Sequence, residues 1–361
     1  MSDLTSGVTL KDGIPLFTIN DEPWTSPIFS AYQINKKYFQ QMAEAGCRAH
    51  MFVVEVGSGY GHSRECWLGP DSYDYSCIDE RVEVVLEADP NALIMIRLYL
   101  AAPQWWLDAN PQEALVLENG RTTFSEPSFN IAVQYDKRYA SLGSNKWRED
   151  MAMALRQVVR HIEKSDYGER VFAYSLSGLS TEEWYHWGCC DINQLGDYSQ
   201  PMTEAFRNWL RMKYGSVEEL CHAWGCHNLT FEGVTIPTGK DRVGTSKAMF
   251  RNSEKDMHVI DFYSFYNEII PETIDYFAGV VKDETGGRKT VGTLYCYMYE
   301  FKGDPEFGHN ALGKMLESRN IDFFQVEPSY GSRQLGSGGD YVRGPAKSVA
   351  LHGKVWYPDN D

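Results

Sequence analysis

Apolar runs and amphipathic stretches alternate along the whole chain. A short run at 16–19, between Asp12-Gly13 and Asp21-Glu22, has the turn-bounded form of a hairpin strand. Beyond it, the apolar, β-rich runs at 24–32, 51–56, 93–100, 171–176, 291–299, 321–326 and 354–357 predict seven strands. Helical spacing fills the intervals, at 37–45, 78–88, 151–162, 257–281, 310–317 and 345–351. Met151, Leu155, Val158, Val159 and Ile162, for example, fall on one face of a 3.6-residue period. Ser216-x-x-Glu219 predicts a capped helix start, each side chain satisfying a free backbone N–H. Apolar strands separated by amphipathic helices predict a parallel sheet covered by helices.

The expected fold is therefore α/β, a (β/α)8-type TIM barrel truncated after its seventh strand, because residue 361 follows the 354–357 run so closely. It reads as one domain over 1–361, with a short N-terminal hairpin and a lid-like insertion around 185–255, rich in Gly, Asn and Asp and poor in periodicity. A barrel one strand short leaves an unpaired edge. Another chain or the hairpin is expected to cover it, unless the gene product itself is truncated.

Composition narrows the classes. With 43% hydrophobic and 23% charged residues, the chain is globular rather than disordered. A net charge of -16 repels phosphate backbones and anionic membranes, so nucleic acid and membrane are not expected partners. There is no apolar stretch of the ~20 residues a span needs, and no basic-then-apolar leader at the start, so the cytoplasm is the expected location. The eight cysteines are scattered, unlike a small disulfide framework, and read as reduced thiols. His186-x-x-Cys189-Cys190-Asp191 lacks the paired spacing of a metal site, and Gly336-Ser-Gly-Gly339 lacks the Lys-Ser/Thr of a phosphate loop. Neither a metal nor a cofactor is expected.

The candidate chemistry is in Glu182 and Glu183, which follow the 171–176 strand among Trp184, Tyr185 and Trp187. In a (β/α) barrel the C-terminal ends of the strands face the active site. Aromatic neighbours exclude water and can raise a carboxyl pKa, as a general acid at neutral pH requires. Ring faces also stack on sugars. These features point to a carbohydrate-active enzyme with Glu183, or failing that Glu182, as proton donor. Trp105 and Trp106, between Pro103 and Pro111, and Trp356 are either sugar platforms or barrel core. Arg97 lies mid-strand and needs a carboxylate partner, in the site or in a structural ion pair. Glu300 and Glu327 each end a strand and are either further site carboxylates or rim ion-pair partners.

Three patches carry a resemblance. They are 206–225, with Phe206-Arg-Asn-Trp-Leu-Arg-Met-Lys-Tyr-Gly215; the Ala102-Pro-Gln-Trp-Trp-Leu-Asp loop; and Ser329-Tyr-Gly-Ser-Arg333 followed by Leu351-His-Gly-Lys-Val-Trp356. Over roughly 90–361 the chain resembles the clan A glycoside hydrolases, close to family 42, the β-galactosidase family. The resemblance implies an Asn-Glu pair after the fourth barrel strand, the Glu being the acid/base and the Asn contacting the sugar. Here Glu183 falls on the Glu, and Glu182 replaces the Asn. It also implies a Glu nucleophile in a Trp-x-x-Glu-Asn-Asp pattern; this chain reads Trp356-Tyr-Pro-Asp359-Asn-Asp361, which puts Asp359 at that position. Tyr330 matches a tyrosine that bonds the nucleophile. The implied function is a retaining exo-β-glycosidase on β-galactosides or β-glucosides, with a small carbohydrate substrate, and a homo-oligomer, since the family's enzymes are often trimers. A catalytically weak sugar-binding barrel and a transglycosylase or phosphorylase remain the alternatives.

Overall fold

A computed structural model describes residues 4–59, 61–123, 137–243, 250–326 and 342–359. An antiparallel sheet opens the chain: β1 (Ser6–Lys11), β2 (Ile14–Ile19) and β3 (Glu22–Trp24). The main sheet then builds up by crossovers. Its strands are β4 (Ile28–Ala31), β5 (Ala49–Glu55), β8 (Leu93–Tyr99), β9 (Val171–Ser177), β10 (Thr290–Leu294), β11 (Phe323–Val326) and β12 (Val355–Pro358), with a two-stranded ribbon, β6 (Trp67–Gly69) and β7 (Ser72–Tyr73), after β5. All pairings in the main sheet are parallel, in the order β12-β11-β10-β9-β8-β5-β4. Each crossover carries helix: α1 (Lys36–Glu44), α2 (Ser76–Ala88), α3 (Gln104–Ala109) and α4 (Asn145–Lys164), then α5 (Gln200–Tyr214), α6 (Val217–Trp224), α7 (Gly239–Val243), α8 (Ser253–Glu284), α9 (Leu312–Glu317) and α10 (Ala346–Leu351).

The two-residue strand period sorts the core. Phe52, Val54, Ile94, Ile96, Leu98, Tyr174 and Leu176 face outward and share one buried cluster with Met151, Leu155 and Val158 of α4 and Ile274 and Phe277 of α8. The alternate positions Met51, Met95 and Ala173 face inward, in a second cluster with Phe17 of the N-terminal sheet. Phe17 meets Phe172 and Phe323 edge-on at 6.0 and 5.2 Å, so the hairpin plugs the N-terminal end of the sheet. The inward face becomes polar toward the other end, through Arg97, Ser175 and Gln325, all buried.

The sheet rolls far enough for its first and last strands to touch. The Tyr357 hydroxyl of β12 accepts from the Ile28 N–H of β4 at 3.3 Å and donates to the Ile28 carbonyl at 3.2 Å. One side chain thus satisfies both backbone groups that an adjoining strand would take. Tyr357→Phe strands that donor and acceptor and is expected to lower the unfolding free energy by about 1–3 kcal/mol in urea titration. An unchanged midpoint and slope would show that water replaces the hydroxyl without loss.

The predicted strands and crossover helices all appear, with shifted ends. The 24–32 run divides, Glu22–Trp24 joining the antiparallel sheet and Ile28–Ala31 the main one. The 291–299 run pairs only over Thr290–Leu294. The 185–255 segment differs more: it contains α5 and α6, whose buried Phe206, Leu210 and Leu220 share the outer core cluster with Phe262 and Phe265 of α8. Ser216 caps α6 as expected, its Oγ accepting from the Glu219 N–H at 3.2 Å. Among the described residues no helix is long and apolar enough to cross a membrane.

Candidate active site

Three elements converge on one guanidinium at the C-terminal ends of the strands. Arg97 projects inward from β8 with its side chain 1% exposed. Its Nη1 donates to Glu182 Oε2 at 3.1 Å and to the Tyr32 hydroxyl at 3.3 Å, and its Nη2 donates to Asp359 Oδ2. β8 and β12 are separated by three strands in the sheet, so this pair crosses the lumen. A buried guanidinium costs several kcal/mol unless its donors are matched; two carboxylates and a phenol match it here. The Asp359 N–H also donates to the Val326 carbonyl at 3.2 Å, which fixes the backbone at the end of β12.

Tyr32 and His62 form one wall, their rings stacked at 4.3 Å. His62 Nε2 lies 3.5 Å from Glu182 Oε1. Burial, with Arg81 and Arg97 nearby, pulls the His62 pKa down to about 4, so at neutral pH this is a contact of a neutral imidazole. Its loop hangs on Glu55 at the end of β5, whose Oε1 accepts from the Gly61 and His62 N–H groups at 2.6 and 2.8 Å. Burial pushes the Glu55 carboxyl pKa up against those bonds.

The loop after β9 is held in an unusual shape. Leu179, Glu182 and Trp184 have φ of 60°, 69° and 63°, the left-handed region that costs an L-residue about 1–2 kcal/mol. Such residues cluster where a site imposes its own geometry. Trp184 anchors the loop: it is fully buried, with Nε1 donating to the Leu176 carbonyl at 3.3 Å and Thr293 Oγ1 at 3.0 Å. Position 178 must be glycine, since a Cβ there would lie 2.6 Å from the Trp184 ring. His309 Nδ1 accepts from the Tyr297 N–H at 3.1 Å, which leaves Nε2–H to donate to the Glu183 carbonyl at 2.8 Å. Glu182 is thereby directed onto Arg97, and the half-buried Glu183 follows it on a pinned backbone.

The other sequence candidates divide. Trp106 lies in α3, 2% exposed, with Nε1 donating to Asp150 Oδ2 at 2.8 Å. It belongs to the core, and its α3 replaces the loop expected there. Trp184, in the loop after β9, is buried in the core for the reason above. Trp105 is partly buried, edge-on to Trp67 at 5.0 Å, and donates to the Trp67 carbonyl at 3.1 Å. Trp356 is partly buried against the outer core cluster. Glu300 sits in the turn after β10 and pairs with Arg343 at 2.9 Å, a rim ion pair; burial raises its carboxyl pKa, which Arg343 partly offsets. Glu327, Tyr330 and the glycine-rich 336–339 lie outside the described residues. Tyr32, His62, Glu55 and His309 carried no sequence signal of their own, although Tyr32 closed the first predicted strand.

Two buried histidines set an acid limit. Burial lowers both His186 and His309 to about 3, against 6.5 for a free imidazole. The folded state therefore stays unprotonated where the unfolded state takes up protons. Stability is full above pH 6.5 and falls as pH drops toward 3, each histidine adding a slope of up to about 1.4 kcal/mol per pH unit. Urea titrations between pH 7 and 5 are expected to show this slope, and His186→Phe to remove only one histidine's share of it, since His309, His62 and His50 are also lowered by burial and carry the rest; a flat profile over that window refutes the account.

Residues 29–289 match the family model of glycoside hydrolase family 42, described as beta-galactosidase. The β-galactosidase Bga of Halorubrum lacusprofundi is 21% identical over 154 residues, which is 43% of this chain and 19% of that protein. The crystal structure of the β-galactosidase from the psychrophilic Marinomonas ef1 superposes with a TM-score of 0.58 at 15% identity, over 84% of this chain and 41% of that one. The catalytic domain of a β-amylase from Paenibacillus polymyxa gives a TM-score of 0.62 at 14% identity, over 92% and 85%. The chain thus spans less than half the length of the β-galactosidases it matches. At these identities the structural likenesses establish the barrel-type fold.

Proposed function

The chain belongs to glycoside hydrolase family 42, and from that premise we propose that it is a retaining exo-β-glycosidase acting on β-galactosides or β-glucosides. Glu183 protonates the leaving oxygen while Asp359 attacks the anomeric carbon, and Glu183 then deprotonates the water that releases the sugar. The observation that carries the reading is the ion pair across the lumen: Arg97 draws Asp359 inward from the end of β12 and binds Glu182, the chain neighbour of Glu183. Neutral His62 and Tyr32 offer a hydrogen-bonding wall beside them.

The deciding experiment is a panel of nitrophenyl β-glycosides, with NMR of the first-formed sugar. Release of nitrophenol with retained β-configuration is the expected result. Inversion overturns the double displacement. No turnover, together with a tryptophan fluorescence change on adding sugar, would leave a sugar-binding barrel.

We also propose self-association, on the ground that β4 and β12 are terminal strands of the sheet that no further strand of the described residues pairs with. Light scattering at micromolar concentration is expected to give a multiple of 41.2 kDa; a monodisperse monomer refutes it.

A further inference from the structure

Two of the eight cysteines meet behind the His62 wall of the site. Cys66 and Cys77 are 11 positions apart in the chain, and their sulfurs lie 3.6 Å from one another. Cys66 is fully buried and Cys77 is 4% exposed. Their backbones are fixed from different elements. The Cys66 N–H donates to the Glu55 carbonyl, and the Cys66 carbonyl accepts from the Asp74 N–H, both at 2.9 Å. These bonds tie Cys66 to the end of β5 and to the residue after β7. Cys77 is the second residue of α2, where the Asp74 carboxylate accepts from the Ser76 N–H at 2.9 Å.

The two sulfurs differ in their surroundings. Cys77 stands at a helix N-terminus, where free backbone N–H groups favour an anion. Hydrogen bonding with Cys66, and then the Arg81 and Arg64 charges, pull its thiol pKa down against burial. Cys66 is pushed the other way by its bond to Cys77 and by burial. One sulfur is thus disposed to ionise, and the other stays protonated in contact with it. A thiolate that oxidises beside a thiol that resolves it is the arrangement of a redox pair.

The pair closes the loop that carries His62. That loop leaves β5 at Glu55, whose carboxylate holds the Gly61 and His62 N–H groups, and it reaches Cys66. Arg81 of α2 donates to the His62 carbonyl as well. The wall of His62 and Tyr32 therefore hangs between β5 and α2.

We propose that Cys66 and Cys77 form a disulfide when a peroxide is the oxidant, and that this bond staples the His62 loop to α2. The Cys77 thiolate attacks one peroxide oxygen; the O–O bond breaks, and the departing hydroxide is protonated to water. The Cys66 sulfur then attacks the sulfenic sulfur of Cys77. The S–S bond forms, the S–O bond breaks, and the departing hydroxide takes the Cys66 proton as a second water. One peroxide is reduced to two waters while two thiols become one disulfide, and a dithiol reductant reverses the change. The bond constrains the unfolded chain over the closed loop, so the oxidised protein is the more stable form.

The test is direct because trypsin cuts after Arg64 and Arg81, leaving both cysteines on the peptide 65–81 with no other. The folded protein is treated with hydrogen peroxide, quenched, unfolded, alkylated with iodoacetamide and digested. The peptide is expected to lose both alkyl groups together and to regain both after dithiothreitol. Hydrogen exchange over residues 62–66 is expected to slow in the oxidised protein, and its urea midpoint to rise. Both shifts are measured against Cys66→Ser treated alike, in which methionine oxidation is the same and Cys77 stops at a sulfenic acid that dimedone traps. Loss of one alkyl group without the other, or oxidation of the pair only once urea has unfolded the chain, overturns the pairing. A disulfide that leaves exchange and midpoint where Cys66→Ser has them overturns the staple. Glycoside turnover enters none of these readouts, so the outcome is independent of the roles given to Glu183 and Asp359.

Discussion

Replacing Glu183 by alanine is expected to cut kcat/KM on β-linked disaccharides by about 10²–10⁴-fold, the usual worth of a general acid. Dinitrophenyl glycosides, whose leaving group needs little protonation, are expected to lose far less in the bond-breaking step. Glu182→Ala gives the contrasting pattern. Glu182 binds Arg97 and touches His62, so its removal leaves a buried guanidinium short of a partner. Uncovering one member of such a pair costs about 3–5 kcal/mol. That loss falls on stability and on all substrates alike, whatever their leaving group. Leaving-group dependence in Glu182→Ala and none in Glu183→Ala would exchange the two assignments. Circular dichroism and unfolding midpoints on both variants separate a misfolded site from a missing proton.

The pattern of the chain made the barrel legible because strand and helix periods differ, and the two faces of each strand bury against different clusters. Met95 and Arg97 on one face of β8, with Ile94 and Ile96 on the other, show the rule in four residues. The site was legible where a charge stood in an apolar strand. Arg97 had to find a carboxylate, and it found two. The aromatic candidates were less readable, since Trp is equally at home in a core and against a sugar. Trp106 and Trp184 went to the core because their indole N–H groups found Asp150 and Thr293 there, which no local spacing encodes. His62 and His309 were silent for a related reason. Each acts through long-range contacts, with Tyr32 and Glu182 in one case and with Tyr297 and the Glu183 carbonyl in the other. In the 185–255 region only the start of α6 was legible, from its capping residues; α5 was not read, and its buried face packs onto α8 more than 40 positions later.

Asp359 carries the last prediction and the largest expected loss. A carboxylate one methylene shorter than Glu moves the attacking oxygen by about 1 Å, a displacement worth around a hundredfold in rate unless the backbone compensates. Two contacts bear on that compensation: the Asp359 N–H on Val326 and the side chain on Arg97 both hold the end of β12 toward the lumen. If Asp359 is the nucleophile, its oxygens are expected about 5–5.5 Å from those of Glu183, as retention requires. A 2-deoxy-2-fluoro glycoside with a good leaving group is then expected to trap a covalent ester on Asp359, located by peptide mass spectrometry. Asp359→Asn is expected to abolish both the adduct and turnover, by about 10⁴-fold or more, because no other step replaces a lost nucleophile. Added azide is expected to restore some turnover by attacking from the vacated side, giving a product of inverted configuration. An adduct on Glu300 would refute the assignment and require the Glu300–Arg343 rim pair to open during the reaction. Retention of most activity in Asp359→Asn would refute it directly and leave Asp359 as the partner that keeps Arg97 neutralised.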